Sequence, residues 1–274
     1  MKTGTVEHHR EREKGVLVYP VYSRRSGGLS IGINLFPDKK LCSFDCPYCE
    51  VFPFSSGYGF SLPLMEAALI EALAEAKEQH IPVRDICFSG SGEPTMSKYF
   101  PAALEAAFRI RGREAPEAEL VLITNAAGLL DEKTFQLLHL AAVKERGLQI
   151  WLKLDAGTPR WYRAMNRSSI PYERLTEKIR SFVQCTPLTL QTMICAVNGI
   201  APPPEEGRAW EELVAELAGI AAELRSVQVY GKARPAPEDP LASSLSGTFL
   251  EARAASLRAT LKAAGKEVPV KVYV

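Results

Sequence analysis

The stretch LSIGINLFPDKKLCSFDCPYCEVF, residues 29–52, begins as a β-branched run and ends in three closely spaced cysteines. Cys42, Cys46 and Cys49 have the spacing C-x3-C-x2-C. Clustered cysteines serve zinc sites, disulfides, redox pairs and iron–sulfur clusters. Other features of the sequence are needed to choose among these four kinds of cysteine site and to predict the fold.

Composition and charge limit the possible partners, the cellular location and the use of the cysteines. The chain has 274 residues and a formal net charge of +1, so it lacks the charge excess that attracts nucleic acid or an anionic membrane. Its polar N-terminus has no apolar core of a secretory signal, and no run approaches the ~18 apolar residues of a membrane span. We therefore expect a cytoplasmic protein with no membrane partner. Thiols stay reduced in that compartment, which favours metal binding or catalysis over disulfides.

Short β-rich runs alternate with helical stretches along the whole chain. The strand candidates are residues 29–36, 84–90, 118–126, 148–157, 188–197 and 226–231. The helix candidates are residues 61–79, 99–111, 131–142, 171–183 and 210–224. Strand followed by helix, repeated in this way, predicts a parallel sheet with right-handed crossovers. The pattern alone does not separate an open, doubly wound sheet from a barrel.

No linker divides the chain into compositionally distinct parts. APPPEEG (201–207) predicts a rigid polar loop, but the residues on its two sides have similar composition. We therefore predict a single domain, with an N-terminal extension over residues 1–28 and a core over residues 29–274 that ends in a helix and a strand.

Only three of the six cysteines lie close together in the sequence. Cys87, Cys185 and Cys195 are isolated in or beside apolar runs, where we expect them to be small buried side chains. Structural zinc usually takes four protein ligands, and a [4Fe–4S] cluster prefers four thiolates. Three thiolates would leave one iron of such a cluster free to bind something else.

The cysteine spacing, with the aromatic Tyr48 before the last cysteine, resembles the motif of the radical S-adenosylmethionine (radical SAM) superfamily. FSGSGEPT (88–95), after the second strand candidate, resembles the glycine–glycine–glutamate motif of the same superfamily. The resemblance implies that Cys42, Cys46 and Cys49 hold a [4Fe–4S] cluster whose free iron binds S-adenosylmethionine (SAM). It also implies that SAM is cleaved reductively to a 5′-deoxyadenosyl radical, which abstracts hydrogen from a substrate.

The resemblance further implies the fold. We predict an α/β protein built as a partial (β/α)6 TIM-like radical SAM barrel, curved but not closed, because six strand candidates are too few for the eight-stranded barrel. The cysteine loop is expected after the first strand, at the rim formed by the carboxyl ends of the strands.

The contacts with SAM are expected at the same rim. Strand alternation puts Lys153 and Asp155 of WLKLDAG (151–157) on one face, at the end of a strand where parallel barrels carry their active sites. Glu93 is the expected acceptor for the ammonium group of SAM. The full set of expected cofactor-binding residues is Tyr48, Gly90, Ser91, Gly92, Glu93, Asn125, Lys153 and Asp155.

The catalytic residues predicted on the substrate side are Asn198 and Arg234, which follow the fifth and sixth strand candidates. A guanidinium donates two parallel hydrogen bonds, so Arg234 suits an anionic or planar polar group of the substrate or the carboxylate of SAM. Arg24 and Arg25 precede the first strand candidate and are expected at the opposite end of the strands.

Segments from PVYSRRSGG (20–28) to VQVYGKARPAPED (227–239) resemble one branch of the superfamily. It holds the wybutosine-synthesis enzymes, which are tRNA four-demethylwyosine synthase-like proteins, and their short bacterial relatives. Its tRNA-modifying members bind a second cluster through cysteines ahead of the triad, and here no cysteine precedes Cys42. Transfer RNA is therefore a disfavoured substrate compared with a nucleoside or another small molecule.

The resemblance leaves partners and two other functions open. A reductant protein such as flavodoxin or ferredoxin is the expected electron donor. One alternative function is activation of another protein by making a glycyl radical on it. The other is a non-catalytic metal or electron-transfer protein, in which the glycine–glutamate segment would have no role.

Overall fold

The computed structural model describes residues 15–143, 147–238 and 241–274. The longer strands are β1 (Val18–Ser23), β2 (Gly28–Ile33), β3 (Val83–Phe88), β4 (Glu119–Thr124), β5 (Leu148–Lys153), β6 (Leu188–Ile194), β8 (Leu224–Gly231) and β10 (Val270–Tyr273). Two short strands, β7 (Ala196–Val197) and β9 (Ala242–Ser243), pair with each other. The helices are α1 (Leu62–Glu78), α2 (Phe100–Glu114), α3 (Glu132–Val143), α4 (Pro159–Met165), α5 (Tyr172–Val183), α6 (Pro204–Ile220) and α7 (Gly247–Ala263).

Each predicted strand overlaps an observed one, namely β2, β3, β4, β5, β6 or β8. The pattern analysis did not find β1, which is interrupted by Pro20 and only partly buried. This strand lies inside the predicted N-terminal extension and pairs antiparallel with β2 along its whole length. The boundary at residue 28 stays a prediction.

The predicted loop at residues 201–207 is wrong in its second half, because α6 begins at Pro204. Proline is well tolerated in the first turn of a helix, where its missing N–H would have no helical partner. Glu205 and Glu206 in the same turn also favour a helix N-terminus. The run of prolines therefore marks a helix start and not an extended loop.

Packing divides the chain into two compact units. The first comprises Met1–Cys42, Val51–Thr124 and Glu145–Gln149, and the second comprises Ser43–Glu50, Asn125–Lys144 and Ile150–Val274. In the described ranges, no helix has the length and apolar character needed to cross a membrane.

The first unit is built on the strand ladder β1-β2-β3-β4, in which β2, β3 and β4 are parallel. Its core includes the fully buried Phe88 and Phe100, whose rings meet edge to face with centroids 5.4 Å apart. Tyr19 lies across Gly32, where a Cβ would come within 2.3 Å of the tyrosine ring. Glycine at this position lets the β1–β2 pair pack closely.

The second unit is built on the parallel ladder β5-β6-β8-β10. Trp210 of α6 is buried and donates from Nε1 to Thr192 Oγ1 at 3.2 Å, which fixes the helix on β6. Cys195 is buried, and so is Cys87 in the first unit, as predicted. The prediction for Cys185 is wrong, because this residue is exposed just beyond the end of α5.

A close backbone approach in the first unit joins two segments that are 50 residues apart. The N–H of Leu41 donates to the carbonyl of Ser91 at 3.1 Å, and the N–H of Glu93 donates to the carbonyl of Leu41 at 2.9 Å. A Cβ on Gly92 would lie 2.0 Å from the Leu41 carbonyl oxygen. Gly92 is therefore required by the space that this approach leaves.

Replacing Gly92 with Ala should lower the free energy of unfolding by about 3 kcal/mol, because the added methyl group collides with backbone that cannot rotate away. Gly57→Ala is the matched control, since nothing lies within 4 Å of a Cβ at that position. Urea unfolding of both variants measures the difference. Unchanged stability of Gly92→Ala would contradict the close approach of the two segments.

Candidate cofactor site

The cysteine loop contains a tight turn at its second and third cysteines. The N–H of Cys49 donates to the carbonyl of Cys46 at 3.0 Å, and Pro47 occupies the second position of this four-residue turn. Proline favours that position because its ring fixes φ near the required value. The turn places Cys46 and Cys49 at its two ends, with Tyr48 between them.

Tyr48 connects this turn to the buried carboxylate of Asp155. Its hydroxyl donates to Asp155 Oδ2, and both residues are buried. Asp155 also accepts from the Met193 N–H at 2.9 Å and from Asn166 Nδ2 at 3.0 Å. Asp155 follows β5 and Met193 belongs to β6, so this carboxylate ties the cysteine turn to two strand ends.

The ammonium group of Lys153 completes the network. Its Nζ lies 3.3 Å from Asp155 Oδ2 and 2.5 Å from the Tyr230 hydroxyl. The same nitrogen lies over the rings of Tyr48 and Tyr230, at 4.9 Å and 5.2 Å from their centroids. A cation is stabilised over an aromatic face and more so when it is removed from water. The predicted Lys153–Asp155 pair is thus present, and two tyrosines enclose it.

Burial and charge set the protonation of these groups. Burial lowers the pKa of Lys153, but opposing electrostatic interactions, led by the charge of Asp155, raise the pKa above its ordinary value. Burial, and then the charge of Asp155, raise the pKa of the Cys46 thiol to about 12 and also raise the pKa of Tyr48. Lys153 is therefore charged at neutral pH, whereas Tyr48 and the metal-free Cys46 are protonated.

Asn166 is a site residue that the sequence analysis did not assign. It follows the last residue of α4 and is buried. Besides its bond to Asp155, its Nδ2 lies 3.6 Å from Cys46 Sγ, and its backbone carbonyl accepts from the Asp45 N–H at 3.0 Å. A lone asparagine after a short helix carries no sequence signal for such a role.

The glycine turn lies in the first unit and is held by a second unassigned asparagine. Asn34, directly after β2, accepts with Oδ1 from the N–H groups of Phe36 at 3.0 Å and Ser91 at 3.3 Å. Gly90 adopts φ +134, which an L side chain rarely does. The predicted segment from Gly90 to Gly92 therefore depends on glycine for its backbone conformation at position 90 and for close packing at position 92.

Glu93 is buried and braces the same turn. Its Oε1 accepts from the Thr95 N–H at 3.2 Å and from the hydroxyls of Thr95 and Thr124, both at 2.7 Å. Thr124 is the last residue of β4. Glu93 thus has a structural role in addition to its predicted role as an acceptor for SAM, and the latter stays a prediction.

The remaining predicted residues lie in different settings. Asn125, after β4, accepts with Oδ1 from the Ala127 N–H at 2.9 Å. Asn198 is exposed in a left-handed turn with φ 53, and its N–H donates to the Leu241 carbonyl at 2.7 Å. Arg24 and Arg25 occupy the turn at the amino end of β2, away from the carboxyl end that leads to the cysteines, as predicted.

Arg234 pairs with the residue that follows the last cysteine. Its Nη1 lies 3.0 Å from Glu50 Oε2, and about a third of each side chain is exposed, 34% and 32% respectively. A partly exposed pair of this kind contributes at most about 1 kcal/mol to stability. An anionic ligand can therefore compete with Glu50 for the guanidinium.

A family model of the radical SAM superfamily matches residues 40–199. The chain belongs to the radical SAM superfamily. The matched region includes the cysteine triad, the glycine turn, and Asp155 with its partners Lys153 and Asn166. The closer resemblance to the wybutosine-synthesis branch stays a prediction.

Two curated relatives are named UPF0026 protein. One, from Synechocystis sp., is 31% identical over 182 residues, which are 64% of this chain and 63% of the relative. The other, from Helicobacter pylori strain J99, is 28% identical over 191 residues, which are 66% of this chain and 56% of the relative. The chain thus spans less than two thirds of the length of these two relatives.

Two solved structures share the fold of this chain. A radical SAM methyltransferase from Sphaerobacter thermophilus has a TM-score of 0.63 at 15% identity, over 93% of this chain and 69% of that one. Streptococcus suis SuiB bound to SAM has a TM-score of 0.64 at 13% identity, over 85% of this chain and 48% of that one. At these identities the likeness concerns the fold alone, and it confirms the predicted fold class.

The donor chemistry of this radical SAM chain fits an iron–sulfur cluster. Cys42, Cys46 and Cys49 are free thiols and none is fully buried. Two of them lie at the ends of one hydrogen-bonded turn, and an amide N–H is directed at the Cys46 sulfur. In the part of the chain that the structure describes, no group of three or more His, Cys, Asp or Glu side chains is close enough to hold a single metal ion, so the fit rests on the type and spacing of the three donors and not on converging side chains.

A buried glutamate on α6 supports the segment that carries Asp155. Glu206 accepts from the Gly157 N–H at 2.5 Å and from the Thr158 hydroxyl at 2.6 Å, and Trp210 backbone lies so close that a Cβ on Gly157 would be 2.1 Å from its nitrogen. Burial raises the pKa of Glu206, and its hydrogen bonds oppose that shift.

Glu206→Ala should lower the free energy of unfolding by about 1–3 kcal/mol, because it leaves buried donors unpaired. Glu205→Ala is the matched control, since Glu205 is exposed in the same helical turn and its loss should change stability by at most about 0.5 kcal/mol. Chemical denaturation of both variants gives the comparison. Equal losses would mean that the Glu206 bonds contribute nothing beyond the helix N-terminus.

Proposed function

We propose that the protein is a radical SAM enzyme that reductively cleaves SAM and uses the resulting 5′-deoxyadenosyl radical to abstract hydrogen from a substrate. The observation that carries the proposal is the backbone pairing of Leu41 with the Ser91–Glu93 turn. It brings the start of the cysteine motif against the glycine–glutamate motif, although 50 residues separate Leu41 from Ser91 in the sequence. A metal-binding loop with a purely structural role would not need that turn.

In this proposal Cys42, Cys46 and Cys49 hold a [4Fe–4S] cluster. When bound, that cluster supplies the electron that breaks a carbon–sulfur bond of SAM. The glycine turn offers its backbone polar groups to the methionine part of SAM. Tyr48 in the cysteine turn and Lys153 at the end of β5 both contact Asp155.

Asp155 acts as a positioning residue in this proposal. Its two carboxylate oxygens already accept from Tyr48, Asn166, Met193 and Lys153. An ionised carboxylate has about four acceptor sites, so these partners use its capacity. We therefore assign Asp155 to the orientation of Tyr48 and Lys153, in place of a direct bond to the ribose of SAM.

Replacing any one of Cys42, Cys46 and Cys49 with Ser should remove most of the iron bound after anaerobic reconstitution, because each supplies one of three ligands. Cys185→Ser is the matched control, since Cys185 is a free, exposed thiol outside the motif. Iron and sulfide analysis, together with 5′-deoxyadenosine released from SAM by the reduced protein, gives the result. A triad variant that keeps the iron content and SAM cleavage of the wild type would refute the proposal.

Arg234 is the residue we propose to contact the substrate or the carboxylate of SAM. Its present partner, Glu50, holds the guanidinium beside the last cysteine through a weak, partly exposed pair. An incoming anionic group would replace that partner and gain two parallel hydrogen bonds. Asn198 is the second predicted catalytic residue. We propose only that it lies at the rim near the end of β6, and we assign it no contact with SAM or the substrate.

Arg234→Lys keeps the positive charge but loses the two parallel N–H donors of the guanidinium. It should therefore lower SAM cleavage or substrate turnover roughly tenfold with the iron content unchanged. Arg180→Lys is the matched control, because Arg180 forms a comparable pair with Glu216 on helices α5 and α6. Steady-state assays of both variants decide the question. Normal turnover by Arg234→Lys would exclude the guanidinium from the reaction.

The proposed function also implies a cellular location, an electron donor and a class of substrate. We propose a cytoplasmic location, where thiols stay reduced until the cluster assembles, and a flavodoxin or ferredoxin as electron donor. The substrate we favour is a nucleoside-related or other small molecule, because the net charge of +1 gives no general attraction for RNA.

A further inference from the structure

The side-chain amide of Asn166 lies between a cluster ligand and the buried carboxylate. Its Nδ2 is 3.0 Å from Asp155 Oδ2 and 3.6 Å from Cys46 Sγ. An ionised carboxylate only accepts hydrogen bonds, so the nitrogen of the amide, and not its oxygen, must face Asp155. The two hydrogens on that nitrogen then serve the carboxylate and the sulfur.

The backbone holds Asn166 in place independently of its side chain. The N–H of Asn166 donates to the Tyr162 carbonyl at 2.8 Å at the end of α4, and its own carbonyl accepts from the Asp45 N–H at 3.0 Å. The next residue, Arg167, takes a left-handed conformation with φ 44, which turns the chain away. A substitution of the side chain at position 166 therefore keeps the backbone contact with the cysteine loop.

We propose that Asn166 is a positioning residue that raises the reduction potential of the cluster by donating its amide N–H to the sulfur of Cys46. This inference rests on the proposed function. Reduction adds negative charge to a cluster and its thiolates, and an N–H directed at a ligand sulfur stabilises that charge. Hydrogen bonds to the sulfurs are among the features by which proteins set the potential of such clusters.

The neighbouring charge explains why a donor is needed at this place. Asp155 is a buried carboxylate that shares the Asn166 amide with Cys46, so its negative charge lies close to that sulfur and opposes any further negative charge on it. The amide of Asn166 faces both groups and offers a hydrogen to each. Because the amide donates to both groups, the Asp155 carboxylate can lie close to the cysteine turn without lowering the reduction potential of the cluster.

The test compares Asn166→Leu, which has a similar size and no donor, with Ser168→Ala. Ser168 lies in the same loop, and its hydroxyl donates to the Ser43 carbonyl in the cysteine loop at 3.3 Å. Midpoint potentials are measured by anaerobic redox titration followed by electron paramagnetic resonance. Asn166→Leu should lower the potential with the iron content unchanged, whereas Ser168→Ala should leave the potential at the wild-type value.

A second measurement needs no variant. Wild-type protein labelled with ¹⁵N-asparagine and reduced should show hyperfine coupling between the reduced cluster and an asparagine side-chain nitrogen, and an exchangeable proton on it. Absence of that coupling would overturn the inference even if Asn166→Leu failed to fold.

Three other results would also overturn it. A wild-type potential in Asn166→Leu would show that the amide does not influence the cluster. An equal shift in Ser168→Ala would trace the effect to anchoring of the loop and not to the sulfur contact. Failure of the wild-type protein to assemble a cluster would refute the proposed function together with this inference, whereas the first two results leave the proposed function intact.

Discussion

One buried carboxylate, that of Asp155, connects the cysteine turn to the strand ends of the second unit. Asp155 accepts hydrogen bonds from a tyrosine of that turn, from an amide after α4 and from the backbone of β6, and it pairs with Lys153. Burying a charge is unfavourable unless partners satisfy it, and removing one partner of such a pair costs about 3–5 kcal/mol. The positions of Tyr48, Asn166 and Lys153 therefore depend on one another through this carboxylate.

Sequence reasoning found the members of this network that strand periodicity and motif spacing reveal. Lys153 and Asp155 alternate on one face at a strand end, and Tyr48 lies inside a recognisable cysteine motif. Asn166, Asn34 and Glu206 were missed because each acts on a segment distant in the sequence, and nothing in their immediate neighbours predicts it. Glu93 was predicted as a ligand contact, yet its bonds to Thr95 and Thr124 also make it a brace of the turn.

The fold was predictable to a similar degree, for related reasons. The parallel strands are continuous apolar runs bounded by turns, so their pattern is strong. β1 is partly buried and contains a proline, which weakens the same signal. The start of α6 was misjudged because consecutive prolines suggest a loop, whereas the acidic residues that follow them favour the first turn of a helix.

The turn from Cys46 to Cys49 has a consequence for how the protein would acquire iron in the proposed function. Its backbone hydrogen bond and Pro47 restrict the main chain between the two cysteines. In the proposed function, an iron bound by one thiol would find the other at a high effective concentration, so the pair would bind iron as a chelate. Because less backbone freedom remains to be lost at this turn, metal binding there would be favoured entropically over binding by two thiols on a flexible chain.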